Sequence, residues 1–150
     1  MANRKPEQDL IEAFVNALQT HPSNEIRIAT VLNKNCKSKT FADVEYRSVT
    51  GIHWVIEAKS HDSGDRHNTV HKMFGELLKE TGRTNRADCK HALLIPEDGI
   101  AFYRRAFQSI DRSKFIAFGQ LIPVDTVFTF GLSGVGQIAW VDIYDSYEPK

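Results

Sequence analysis

The sequence predicts an α/β sandwich with a mixed central sheet, and three observations predict it. A leading segment has helical apolar spacing, a strand hairpin follows, and a second amphipathic helix feeds a buried strand. An antiparallel hairpin and a helical crossover to a later strand fit together in one sheet. At 150 residues the chain suits a single domain. Its core is expected at about 7–118, with a C-terminal strand hairpin at about 120–144.

Residues 7–20 place Leu10, Ile11, Phe14, Val15 and Leu18 on one helical face, with Pro6 where a first turn tolerates it. His21-Pro22-Ser23-Asn24 breaks that pattern. Residues 25–32 alternate as a strand, and 33–39 read as a polar, basic loop. Strands are expected over 41–49 and 52–59, joined around Thr50-Gly51. On the second of these, Ile52, Trp54, Ile56 and Ala58 share one face, and His53, Val55, Glu57 and Lys59 the other.

After a polar loop at 60–67, residues 68–81 form the cleanest helix pattern, with Val70, Met73, Phe74, Leu77 and Leu78 in a buried stripe. Asn68 can cap its start and Gly82 end it, while Gly75 inside it fits close helix–sheet packing. Residues 91–95 (HALLI) are a buried strand and 100–110 a third helix. Two late strands are expected around 115–130 and 137–144, separated by a glycine-rich turn at 131–136.

The composition, 41% hydrophobic and 25% charged, is that of a globular chain rather than a disordered one. A formal net charge of +0 argues against a protein that coats nucleic acid by neutralising phosphates. It argues less against an enzyme, because a carboxylate-rich metal site cancels basic residues elsewhere. The opening MANRKPEQDL lacks a signal-type apolar core, and no apolar run is long enough to span a bilayer, so no membrane is expected as a partner. A cytoplasmic protein is the expectation, with Cys36 and Cys89 as reduced thiols.

The chemistry concentrates in FADVEYRSVTGIHWVIEAKS. Glu57 and Lys59 are two apart on a strand and project from one face. A hairpin centred near Thr50-Gly51 brings Asp43 level with them, since 43 and 57 sum to 100, as do 49 and 51. Two carboxylates and a lysine then converge at one strand end, the combination that phosphodiester hydrolysis uses. Carboxylates hold magnesium, a hard cation suited to oxygen ligands. The metal polarises a phosphoryl oxygen and acidifies bound water, and a lysine orients the water or stabilises developing charge. The carbonyl of Ala58 can add a ligand.

These residues resemble the PD-(D/E)XK, or restriction-endonuclease-like, nuclease superfamily, with Asp43 as first acid and Glu57-Ala58-Lys59 as the E-x-K tripeptide. Ala42 stands where the name has proline. The resemblance covers residue 7 to about 96. It implies a three-layer α/β/α sandwich and a DNA endonuclease that uses Mg2+, with Mn2+ able to substitute. It points to Glu12 on the first helix as a further catalytic residue, and to His71 or Lys72 on the helix after the tripeptide. A homodimer would set two sites on two DNA strands, and the aromatic hairpin at 120–144 could supply its surface.

Competing readings are specific. Asp43, Glu57 and Lys59 could form a solvated cross-strand ion cluster. A non-catalytic nucleic-acid-binding or assembly module with a nuclease-like fold is the alternative function. His61, His67, His71 and His91, with Asp62 and Asp65, could suggest zinc, although no cysteine pair or H-E-x-x-H accompanies them. Two basic groups could meet phosphates, Lys34, Lys37 and Lys39 on one side and Arg83, Arg86 and Lys90 on the other, while Arg104, Arg105, Arg112 and Lys114 form a third basic cluster. Asp142, Asp145 and Glu148 form an acidic end that offsets the last.

Overall fold

The structure is a computed structural model that describes residues 5–35, 42–59, 89–121 and 124–145. The helix expected over 68–81 lies outside the described residues, as do Cys36, Lys37, Lys39, His61, Asp62, Asp65, His67, His71, Lys72, Arg83 and Arg86.

Helix α1 (Lys5–Leu18) comes first, followed by strands β1 (Ile28–Asn33), β2 (Val44–Ser48), β3 (His53–Ala58) and β4 (Lys90–Pro96). A single 3-10 turn (Glu97–Gly99) leads into α2 (Ile100–Gln108) and α3 (Arg112–Leu121). The chain closes with β5 (Val124–Gly131), β6 (Gly134–Ala139) and α4 (Trp140–Asp145). The strands form one six-stranded sheet in chain order, β1 to β6. The β1–β2, β2–β3 and β5–β6 pairs are antiparallel, and β3–β4 and β4–β5 are parallel. The sheet is therefore mixed, as expected, and helices cover both of its faces.

The β2–β3 hairpin has the register that the sequence arithmetic predicts. Val44 pairs with Ile56, Glu45 with Val55, Tyr46 with Trp54 and Arg47 with His53, each pair summing to 100. Its loop is Val49-Thr50-Gly51. The Gly51 N–H donates to the Ser48 carbonyl (2.9 Å), and the Ser48 N–H to the Ile52 carbonyl (2.9 Å). Gly51 has φ +91°, a left-handed conformation that glycine adopts without a Cβ penalty. This is the geometry of a three-residue hairpin loop, a turn followed by a left-handed residue.

Alternation along the strands sorts the sheet into two cores. On one face, Ile11, Phe14, Val15 and Leu18 of α1 meet Val44, Tyr46, Trp54, Ile56, Ala58, Ala92, Leu94 and Phe128. On the other, Leu93, Ile95, Val127 and Ile138 meet Tyr103, Phe107, Phe115, Trp140 and Ile143 of the later helices. Those helices cover the β4–β6 half of that face. A small cluster of Ala42, Val55 and Cys89 lies separately.

Two expectations for the C-terminal third are corrected. Residues 112–121 are helical, and β5 starts only at Val124. The strand expected over 137–144 stops at Ala139 and gives way to α4. Aromatic content suggests strand, but Phe115, Phe118 and Gly119 are spaced three and four apart, as are Trp140, Ile143 and Tyr144. That helical period lets one face meet another. Trp140 stacks on Phe115 with ring centroids 4.3 Å apart and planes 1° from parallel, and its indole N–H donates to the Phe115 carbonyl (2.8 Å). Gly119 leaves room for the indole: a Cβ there would lie 2.5 Å from Trp140 Nε1. Most of the late aromatics thus pack inward. Strand β1 is also shorter at its start than the expected 25–32. No helix among the described residues is long and apolar enough to cross a membrane.

Candidate active site

The end of β3 is anchored on both sides. Toward β4, the Lys59 N–H donates to the Leu94 carbonyl (2.9 Å), so the extended backbone runs on through Lys59. Strand alternation then projects the Glu57 and Lys59 side chains from one face, away from α1. Toward β2 the arrangement differs from the expectation. Asp43 does not sit on a strand but in a bend just ahead of β2. Its Oδ2 accepts the N–H of Ala58 at 3.0 Å. The Asp43 carboxylate is thereby fastened to the peptide that joins Glu57 to Ala58, where a continued β2 backbone would otherwise have paired. In a strand, the N–H and C=O of one residue point the same lateral way, so the Ala58 carbonyl also faces the Asp43 side.

Burial decides against a solvated ion cluster. Asp43 is 8% exposed, Glu57 4% and Lys59 6%, and β3 is covered on both faces. Charged groups enclosed to this degree need partners or ligands, because desolvation of an isolated charge is costly.

Two residues that the sequence reading passed over hold the Asp43 bend. Asn33, at the end of β1, donates through Nδ2 to the carbonyls of Ala42 (2.7 Å) and Asp43 (3.3 Å). Glu45, fully buried, accepts the Ala42 N–H at Oε1 (2.9 Å) and lies 2.9 Å from His53 Nε2 through Oε2. The alternation Asp43, Glu45, Arg47 carried a signal for Glu45, since it repeats an acid two residues on. Asn33 left no comparable mark.

Glu12 is placed elsewhere. It is exposed on α1, where Gln8 Nε2 donates to its Oε2 at 2.8 Å, and α1 packs on the face of the sheet opposite Glu57 and Lys59. Among the basic residues, Arg112 is committed to Asp145, and Lys90 holds its ammonium 5.6 Å from the Trp54 ring centroid. His91 is buried on β4. Among the described residues, no three of His, Cys, Asp and Glu are grouped so as to hold a metal ion. The oxygen donors at the end of β3 are therefore two carboxylates and one carbonyl, a hard set that suits magnesium or manganese better than zinc.

Comparison with known proteins finds no matching family model, curated protein or solved structure.

Proposed function

We propose that this chain is a metal-dependent nuclease of restriction-endonuclease-like fold that hydrolyses phosphodiester bonds in DNA. One observation carries the reading: the buried Asp43 carboxylate bonded to the peptide between Glu57 and Ala58, with Lys59 next on the same strand. The six-stranded mixed sheet with helices on both faces is consistent with that fold.

Asp43 and Glu57 would hold Mg2+ or Mn2+ through their carboxylates, with the Ala58 carbonyl as a further ligand. The bound ion supplies Lewis acidity at a phosphoryl oxygen and acidifies its water. The chain's own residues do the rest. The Ala58 N–H fixes one Asp43 oxygen and with it the orientation of the carboxylate. Lys59, enclosed rather than solvated, presents a positive charge where the phosphate would accumulate negative charge, and low local dielectric strengthens that contact. Asn33 and Glu45 keep the bend that carries Asp43 in place. Glu12, on the far side of the sheet, has no role in this scheme. The active form would be a homodimer with one site per strand, a point for light scattering against the 17.0 kDa monomer mass.

The test is cleavage of duplex, branched and single-stranded DNA with magnesium or manganese, for wild type and Lys59→Ala. Cleavage by the wild type and its loss in the variant supports the reading. Equal behaviour on every substrate rejects the catalytic assignment. A chain that binds DNA, neither cleaves it nor binds manganese, and is unchanged by Asp43→Ala is a non-catalytic binding module.

A further inference from the structure

His53, Cys89 and Glu45 form a second chain of polar contacts, at the start of β3 rather than its end. Cys89, the residue just before β4, is a reduced thiol whose Sγ lies 3.4 Å from His53 Nδ1. His53 Nε2 lies 2.9 Å from Glu45 Oε2. In the tautomer that donates from Nε2 to this carboxylate oxygen, Nδ1 carries no proton. In the neutral ring Nδ1 is then an acceptor, and it faces the thiol. Nucleophile, base and orienting carboxylate stand in line at hydrogen-bonding distances, the arrangement that activates cysteine elsewhere in enzymology.

The surroundings give this chain access and a charge preference. Cys89, itself only 7% exposed, and His53 line an open groove of about 430 Å³ at the hairpin end of the sheet, together with Arg47 and Lys90. Arg47 is the cross-strand partner of His53 and shares its face. Among the described residues, the titratable and charged groups around the pair are Glu45 and Arg47 from β2, and Lys90 and His91 from β4. The Lys90 ammonium is turned over Trp54, and Glu45 is engaged by Ala42 and His53, so among the described residues Arg47 is the charge that shares the groove face of His53.

We propose that Cys89 is a nucleophilic thiol, deprotonated by His53 and positioned through Glu45, that exchanges with small anionic disulfides admitted beside Arg47. The thiol proton passes to His53 Nδ1. The thiolate attacks one sulfur of the incoming disulfide, a new Cys89 S–S bond forms, and the old S–S bond breaks. The departing thiolate takes the electron pair and a proton. Cys89 sulfur is oxidised, the leaving sulfur is reduced, and no further reagent is required. The inference stands independently of the phosphodiester reading.

The experiment uses the full chain with Cys36→Ser, so that Cys89 is the only thiol. Alkylation by iodoacetamide is followed by intact mass from pH 5.5 to 9. An ordinary thiol of pKa about 8.5 slows roughly 80-fold between pH 9 and pH 6.5. Cys89 is expected to slow less than about tenfold, because His53 keeps it ionised, and to regain the ordinary profile in His53→Gln. An ordinary profile in the parent protein overturns the proposal without reliance on the folding of any variant. So does an identical profile in a folded His53→Gln protein. Oxidised glutathione and the neutral bis(2-hydroxyethyl) disulfide then test the charge preference. Faster mixed-disulfide formation with glutathione, lost in Arg47→Gln, supports the anionic partner, and equal rates for the two disulfides overturn it.

Discussion

The carboxylate of Asp43 accepts a hydrogen bond from the main-chain N–H of Ala58, 15 residues away in sequence and 3.0 Å away in space. One oxygen atom therefore does for the sheet what a strand carbonyl would have done, while the side chain stays beside Glu57. Stability and chemistry meet at this atom and can be separated by substitution. Asp43→Ala leaves a buried N–H without its acceptor and should cost about 1–3 kcal/mol of folding stability by denaturant titration. Asp43→Asn keeps an acceptor oxygen and should melt close to wild type. Both should lose manganese binding by calorimetry. An Asp43→Asn protein that still binds manganese like wild type would remove Asp43 from the metal site.

Asn33 should act through Asp43 rather than on substrate. Asn33→Ala removes the donors to the Ala42 and Asp43 carbonyls. Cleavage and metal affinity should fall, with a destabilisation of about 1 kcal/mol. Added manganese should restore part of the lost rate, because the ligands remain and only their placement has loosened. If saturating metal recovers nothing, Asn33 has a different role.

Tyr46 ties the hairpin to the segment before β1, donating its hydroxyl to the Ile26 carbonyl at 2.8 Å. Burial raises its pKa above the ordinary value of 10.0. A raised folded value means that the neutral phenol's contribution is fully present below pH 10 and is lost as pH rises through the folded value. The wild type should lose stability above pH 10 more steeply than Tyr46→Phe, which itself should cost about 1 kcal/mol at neutral pH. Urea titrations at pH 8 and 10.5 compare the two. Parallel losses would mean that another group governs the alkaline limb.

Arg112 grips Asp145 in a bidentate pair, both contacts 2.8 Å, joining the start of α3 to the end of α4. The hydrogen bonds from Arg112 lower the Asp145 pKa below its ordinary 3.8. The pair's contribution is present above that ordinary value and is lost as pH falls through the lower folded one. Both side chains are exposed, so the effect on global stability should be small and sensitive to salt. It should show as earlier hydrogen exchange of α4 amides below pH 4, matched at neutral pH by Asp145→Asn. Unchanged α4 exchange in that variant would show that Trp140, Ile143 and Tyr144 dock the helix without the ion pair.

Gly119→Ala should destabilise by about 1–3 kcal/mol, since the new methyl group falls within the Trp140 ring. Trp140→Phe removes the clashing edge along with the bond to the Phe115 carbonyl. In the double variant the two costs should add to less than their sum, because the second change relieves the first. Strict additivity would mean that the backbone, not the indole, yields.

The parts of the fold legible in the sequence are those with one strong period. Ile11, Phe14, Val15 and Leu18 mark α1, the buried run HALLI marks β4, and Gly51 fixes a hairpin whose register follows by arithmetic. Phe115 and Trp140 were harder, because large aromatics favour strands by propensity and only their partners reveal helical faces. In the candidate site, Glu57 and Lys59 follow from alternation. The contact of Asp43 with Ala58 does not, since a bend lets the side chain replace the backbone as acceptor. Glu45 and His53 sit diagonally across two strands, where neither strand alone shows them as a pair.

His53 and Glu57 share a face because they are separated by an even number of residues, about 13 Å along β3. A deletion of one residue between them would need no change in either side chain to disable one end of the strand. It would send either the imidazole or the carboxylate through the sheet into the layer under α1. Loss of two neighbouring residues would shorten the strand and keep both on their side. Odd and even deletions in this six-residue stretch should therefore differ in kind: the odd ones scramble inside and outside, and the even ones only change reach.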